Sequence, residues 1–132
     1  MDSDLIRRQV AELIVVRTSG CELDSQRKFP QWELSNSELK RLIAKGIGGV
    51  IFLGGSINQL SERCRKFRLL AGKDLLLCAD VEEGIGQRFD GGTHLPPPMS
   101  IGIIYKKNPN KALRLAEQYG KCIASQAIQC GL

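Results

Sequence analysis

Residues 75–89 read Leu75-Leu76-Leu77-Cys78-Ala79-Asp80-Val81-Glu82-Glu83-Gly84-Ile85-Gly86-Gln87-Arg88-Phe89, an apolar run that ends on a carboxylate and breaks into a glycine-containing polar loop. A short unbroken apolar run suits a strand buried on both faces, as in a parallel α/β sheet. The carboxyl end of such a strand is the usual place for a ligand-facing residue. Asp80 occupies that place and is the first candidate for function.

Outward from this strand, the pattern alternates between element types. Asp4 to Glu12 reads as a short helix and Leu13 to Arg17 as a first strand. A polar loop containing Pro30 and Trp32 follows. Ser35, with Glu38 three residues later, has the chemistry of a capping box, in which each residue's side chain satisfies the other's backbone N–H. That helix runs to about Lys45 and stops at Gly46. Gly49 to Leu53 is the second strand, Ile57 to Ala71 a helix, and Leu75 to Ala79 the third strand. Asn108-Pro109 then opens a long helix, since proline at the first helical position gives up an N–H that would be unpaired anyway. Ala112, Ala116, Tyr119, Ile123 and Ala127 form its expected buried stripe. The order βαβαβα implies an α/β fold with parallel strands and right-handed crossovers. Its three strand ends, near Thr18, Gly54 and Asp80, would share one rim, where loops carry chemistry and strands hold them still.

Asp80-Val81-Glu82-Glu83-Gly84-Ile85-Gly86-Gln87-Arg88-Phe89 resembles the D-x-E-G-G-x-V-Q-R signature, closed by Phe or Leu, of the family 3 glycoside hydrolases in their β-N-acetylhexosaminidase and β-glucosidase branches. Gly46-Ile47-Gly48-Gly49-Val50-Ile51-Phe52-Leu53 is similar to a glycine-rich strand segment of that family, at the expected distance upstream. Leu95-Pro96-Pro97-Pro98-Met99-Ser100-Ile101-Gly102 resembles its proline-bearing segment, and Ala116 to Leu132 its helix leading to a glycine turn. The blocks come in the family's order and together cover about residues 11 to 132.

The resemblance implies a TIM (β/α)8 barrel, which typically needs about 250 residues. A chain of 132 residues would then be an incomplete, N-terminal βαβαβα portion, with residues 1–132 forming one fragment of the barrel domain. In the complete family the chemistry is retaining hydrolysis of terminal β-linked glucose or N-acetylglucosamine through a covalent glycosyl-enzyme intermediate. Asp80 matches the family aspartate that binds sugar hydroxyls, and Arg88 the signature arginine that helps build the same pocket. A carboxylate suits the first role because it accepts two charge-assisted hydrogen bonds from adjacent hydroxyls. A guanidinium suits the second because its rigid fork can orient that carboxylate or meet the sugar. The residues alone leave a second reading open, an Asp80–Arg88 pair that only pins the loop. Glu82 and Gly84 match loop-organising positions. Glu83 stands where the first glycine of the family pair is usual, and Gly86 where valine is usual. No catalytic residue is expected in this chain: the family nucleophile lies on a strand beyond residue 132, and adjacent Glu82 and Glu83 do not make an acid–nucleophile pair. His94, the only histidine, follows Gly91-Gly92-Thr93 and reads as a loop histidine. Nothing matches the family's K-H-F-P-G motif or its histidine-bearing acid/base loop.

The remaining features argue against other function classes. The charge of +5 is a mild basic excess, but 5% aromatic residues offer few stacking platforms for nucleic acid. In residues 61–71, Cys64, Phe67, Leu70 and Ala71 share one helical face, so the arginines read as a solvated face. Five cysteines form no C-x-x-C pair and read as buried or incidental thiols, without metal or disulfide. Gly46-Ile47-Gly48-Gly49 precedes its strand and Phe89 replaces the third glycine of a dinucleotide fingerprint, so no nucleotide cofactor is expected. No G-x-S-x-G elbow occurs. Apolar runs fall far short of the ~20 residues that span a bilayer, and the N-terminus is a poor signal peptide. A cytoplasmic chain is therefore expected, whose partner is a sugar and which self-associates through exposed strand edges.

Overall fold

A computed structural model describes residues 3–19 and 34–132; Cys21, Pro30 and Trp32 lie outside the described residues. In chain order the elements are helix α1 (Ser3–Glu12), strand β1 (Val15–Thr18), α2 (Asn36–Ala44), β2 (Gly49–Phe52), α3 (Ile57–Ala71), β3 (Leu76–Ala79), a 3-10 turn (Ile85–Gln87), α4 (Met99–Lys107) and α5 (Pro109–Cys130). The strands form one parallel sheet in the order β1-β2-β3, so their carboxyl ends share a rim.

The ends of the helices follow from local chemistry. Ser35 and Glu38 form the expected capping box at α2, and Ser56 with Gln59 forms a second at α3. Asn108 caps α5, accepting from the Lys111 N–H at 3.0 Å, and Pro109 follows it. Gly131 ends α5 at φ 87° in the left-handed region, and its carbonyl accepts a hydrogen bond from Arg68 Nη1 of α3.

Register decides which side of the sheet is the core. Val16, Val50 and Leu77 align across the strands, as do Thr18, Phe52 and Ala79, and successive residues of a strand face opposite sides. Val50, Phe52 and Leu77 pack with Leu39 and Ile43 of α2 and with Leu60, Cys64 and Phe67 of α3 into one buried cluster. On the other face, Val15 is 44% exposed and Leu76 58%. At the amino end of the sheet Gly48 donates its N–H to the Ala11 carbonyl of α1 at 3.1 Å.

Four features depart from the sequence reading. β1 begins later than the apolar run, because the Leu13 and Ile14 N–H groups donate back to Val10 and Ala11 and so complete the last turn of α1. A helix, α4, follows the prolines, where only a proline-bearing segment was expected. Pro98 has helical backbone angles at its N-cap, and Lys106 and Lys107 stand favourably in its last turn. α4 packs along α5 and moves the burial there: Leu115, Tyr119 and Cys122 line the α4–α5 groove, and Ala116 of the expected stripe is exposed. Finally, Arg63 is not on a solvated face. Its guanidinium lies 5.2 Å from the Phe52 ring centroid and 5.3 Å from that of Phe67, and Nη2 donates to Thr18 Oγ1 at 2.9 Å. The long arginine stem allows this, because a weakly hydrated planar cation can leave water for two aromatic faces.

Those two rings are stacked, with centroids 5.9 Å apart and planes 8° from parallel. Phe52→Ala removes the stack, the cation–π contact and the largest filler at the end of β2. The expected loss is about 3–5 kcal/mol, read as a lower urea midpoint at fixed protein concentration. A midpoint close to wild type would show that the sheet does not depend on this cluster.

Candidate functional site

β3 delivers Asp80 to the rim, and eight residues later the chain returns Arg88 to meet it. Arg88 Nη2 donates to Asp80 Oδ2 at 3.1 Å, and Nε donates to the Asp80 carbonyl at 3.2 Å, so one guanidinium grips both side chain and main chain. The pair is partly exposed, 46% for the Asp80 side chain and 33% for Arg88. An ion pair that wet contributes only about 0–1 kcal/mol to stability, too little to make loop pinning its main consequence. Among the described residues Arg88 is the only partner of the carboxylate and bonds Oδ2, which leaves Oδ1 without a donor from them. The arrangement fixes the direction of a carboxylate and keeps accepting capacity in reserve.

The loop between them is tightly folded. Gly84 has φ 88° and ψ 168°, a region essentially confined to glycine. It is also buried, and a Cβ there would overlap the Thr93 carbonyl oxygen and come within 3.3 Å of Leu95 Cγ. Ile85 and Phe89 then plug into the core. The returning limb pairs back: Gly86 N–H donates to the Thr93 carbonyl at 2.8 Å and Leu95 N–H to the Glu83 carbonyl at 2.7 Å. Asp90 N–H reaches the Gly55 carbonyl at 2.9 Å, and its own carbonyl accepts from Ile57 N–H at 3.0 Å, which sews this loop to the one after β2.

Both departures from the family signature acquire a physical reason. A Cβ on Gly86 would stand 2.5 Å from the Gly92 carbonyl oxygen and 2.8 Å from the His94 nitrogen, so the limb 92–94 lies where a valine side chain would be. Glu83 replaces a glycine at a position that needs none, since no non-glycine residue among those described has positive φ. Its N–H donates to Gln87 Oε1 at 3.0 Å and its carboxylate meets His94 Nε2 at 3.1 Å. His94 is thus an exposed loop residue, as read, but it is bonded to the other limb. Glu82 is exposed, and the group it contributes to the loop is its carbonyl.

Two residues of the loop's support were not singled out from the sequence, which placed Tyr119 only in the buried stripe of α5 and left Gln126 unremarked. The Tyr119 hydroxyl lies 2.9 Å from the Glu82 carbonyl oxygen and 2.8 Å from that of Pro96, and Gln126 Oε1 accepts from the Thr93 N–H at 3.1 Å. Their spacing of seven places both on one side of α5, which was the available signal, but tyrosine and glutamine at that spacing are ordinary on any amphipathic helix. Burial, and secondarily the Glu83 carboxylate, push the Tyr119 phenol up from its ordinary value, which keeps the donor proton in place. Because the folded value is raised, this contribution is fully present below the ordinary phenol pKa of about 10 and is lost as pH rises through the higher folded value. Absorbance titration is expected to show a late phenol component that Tyr119→Phe abolishes.

The thiols offer no comparable chemistry. Cys64, Cys78, Cys122 and Cys130 are free, and burial pushes the Cys64 thiol up to about 11 and raises that of Cys78. Such thiols carry little thiolate at neutral pH and react slowly. Among the described residues no three His, Cys, Asp or Glu side chains cluster as metal ligands, and no helix is long and apolar enough to cross a membrane.

Comparison with known proteins identifies the family. The sequence profile described as "Glycosyl hydrolase family 3 N terminal domain" matches residues 5–132. A Beta-hexosaminidase of Stenotrophomonas maltophilia is 35% identical over 124 residues, covering 91% of this chain and 34% of the relative. Beta-hexosaminidases of Thiobacillus denitrificans (37% over 98 residues; 71% of this chain, 27% of the relative) and Nitrosomonas eutropha (39% over 90 residues; 65% and 26%) are similar too. The matches span between a quarter and a third of the length of these relatives. With that profile matching nearly its whole length, the chain belongs to glycosyl hydrolase family 3 and represents sequence of its N-terminal domain.

Proposed function

We propose that this chain carries the sugar-contact part of a glycoside hydrolase acting on terminal β-linked N-acetylhexosamine, with Asp80 accepting from sugar hydroxyls and Arg88 holding Asp80 in position. The observation that carries the reading is the half-exposed Asp80 carboxylate, gripped by Arg88 from one side and with its second oxygen unused among the described residues. The names of the matched relatives favour N-acetylhexosamine over glucose. Family resemblance also supports taking the sheet as the first part of a (β/α)8 barrel: its parallel strands follow in sequential order, helices cover one face, and the chain matches at most about a third of its relatives' length. The four free thiols among the described residues suit a reducing compartment such as the cytoplasm.

Sugar binding tests the assignment. Titration of the purified chain with N-acetylglucosamine is expected to perturb NMR signals of residues 80–95, to do so more strongly than glucose, and to lose the effect in Asp80→Ala. Perturbations that ignore Asp80→Ala would move the ligand elsewhere. Turnover is a separate expectation. Retaining hydrolysis needs a nucleophile and an acid/base group, commonly two carboxyls ~5 Å apart, and no residue of the matched motifs supplies either. The 132-residue chain is therefore expected to leave aryl β-N-acetylglucosaminides and β-glucosides uncleaved. Hydrolysis well above the buffer rate, abolished by Asp80→Ala, would contradict this. A second reading, a non-catalytic α/β module that binds a small ligand or another chain, draws on the exposed sheet face bearing Val15 and Leu76.

A further inference from the structure

We infer that Tyr119 and Gln126 of α5 are positioning residues for the rim, holding the two limbs of the 80–96 loop together so that Arg88 can aim Asp80. The inference rests on the sugar-site reading for its functional consequence, while its structural part stands on geometry alone.

Asp80 and Arg88 share only a wet ion pair and one main-chain bond, and neither is enough to fix a loop of this length. Backbone pairing between the limbs, at Gly86–Thr93 and Leu95–Glu83, fixes their register, and Ile85, Phe89 and the Asp90–Ile57 bond hold the middle of the loop to the core and α3, but none of these sets the two limbs against α5. Tyr119 makes that connection. A phenol has one proton, so its two short contacts are a three-centre bond in which the O–H donates to the Glu82 carbonyl of the outgoing limb and to the Pro96 carbonyl beyond the returning one. Two turns further along the same side of α5, the Gln126 amide grips Thr93 at two points, accepting from its N–H and donating Nε2–H to its hydroxyl. The helix thus reads four atoms of the loop at three positions, Glu82, Thr93 and Pro96. Glu82 and Thr93 adjoin the Glu83–His94 contact, Glu82 lies two residues from Asp80, and Pro96 lies two residues beyond His94. α5 is anchored independently, through Cys130 in the core and the Arg68 bond to the Gly131 carbonyl. It is a rigid body against which the loop can be set, and a binding group is only as well placed as the groups that hold it.

Tyr119→Phe keeps the ring and deletes only the hydroxyl, so it separates holding the loop from filling space. In hydrogen exchange read by mass spectrometry on the full chain, Tyr119→Phe is expected to speed exchange across residues 82–96 about five- to tenfold, the range expected for one net hydrogen bond. β2 and α3 should keep their wild-type rates, and Gln126→Ala should loosen the same peptides. N-acetylglucosamine affinity should fall by a similar factor in Tyr119→Phe, and the loss should not add to that of Asp80→Ala, because both act through one carboxylate. Unchanged exchange in 82–96 would overturn the inference. So would loosening spread evenly over the molecule, which would make the hydroxyl a general stability contact. If the wild-type chain binds no sugar and the loop exchanges as expected, the sugar-site reading fails and the positioning of the loop by α5 stands.

Discussion

Replacing Gly84 with alanine is expected to cost about 3 kcal/mol or more and to open the loop that joins Asp80 to Arg88. Two costs combine. The backbone at φ 88°, ψ 168° is strained for any residue with a Cβ, by about 1–3 kcal/mol. The new methyl would also overlap the Thr93 carbonyl oxygen, a backbone atom held by the Gly86 N–H, which cannot rotate away as a side-chain end could. Relief requires breaking the pairing of the two limbs, and with it the positions of Glu82 and Thr93 on α5. Gly72 provides the control. It also has positive φ, at 62°, but a Cβ there meets nothing within 4 Å, so Gly72→Ala should cost only about 1 kcal/mol. Urea midpoints of the two variants at equal protein concentration, with exchange rates in residues 82–96, make the comparison. A Gly84→Ala variant no less stable than Gly72→Ala, with its loop still protected, would show that the 93–95 limb yields easily and that the loop is not tightly set.

The parts of this structure that were legible in sequence are those fixed by neighbours along the chain. Ser35 and Glu38 stand three residues apart and find each other at the start of α2; Asn108 and Pro109 announce α5 for the same reason. The run Leu75 to Ala79 and its terminal Asp80 gave the last strand and the rim carboxylate, because an unbroken apolar run has no polar alternation to misread, but the two-faced burial expected of it is not found: Leu77 is buried against the helices and Leu76 on the other face is exposed. What stayed hidden depends on approach between segments far apart in sequence. Nothing near Gly86 says that Gly92 will lie against it, so its departure from the family valine looked arbitrary until the returning limb was seen. Arg63 looks like any arginine on a polar helix face, and only the meeting of Phe52 and Phe67 above it gives its guanidinium a place out of water. Glu83 and His94, eleven residues apart across a loop, and Tyr119, thirty-seven residues from Glu82, have no periodic signature at all. α4 was missed for a different reason: three prolines followed by Ile101, Ile103 and Ile104 carry loop and strand propensities, which packing against α5 overrides.

The largest effect expected in solution arises from the side of the sheet that faces away from the helices. Register puts Val15 and Leu76 there together with Ile51, Cys78 and one charged residue, Arg17, and the exposed fractions of Val15 and Leu76 compare with near-complete burial of Val50 and Phe52 on the opposite face. Among the described residues the sheet has two free edges besides, and the β3 edge, Leu76 to Ala79, contains no charge or proline to discourage pairing with another strand. Contiguous apolar surface of this kind drives association when nothing else covers it. The purified chain is therefore expected to elute well above its 14.6 kDa monomer mass and to bind a dye that reports apolar surface. Leu76→Lys should shift it toward the monomer, since the lysine would sit on the exposed face at the unpaired edge and disturb no buried contact, while Leu77→Lys, one residue along and facing the core, should unfold it instead. Light scattering on eluted protein distinguishes these outcomes. A sharp monomer peak for the wild-type chain, with a cooperative thermal transition and no dye binding, would mean that this face is covered by the chain itself and that the open-sheet picture is mistaken.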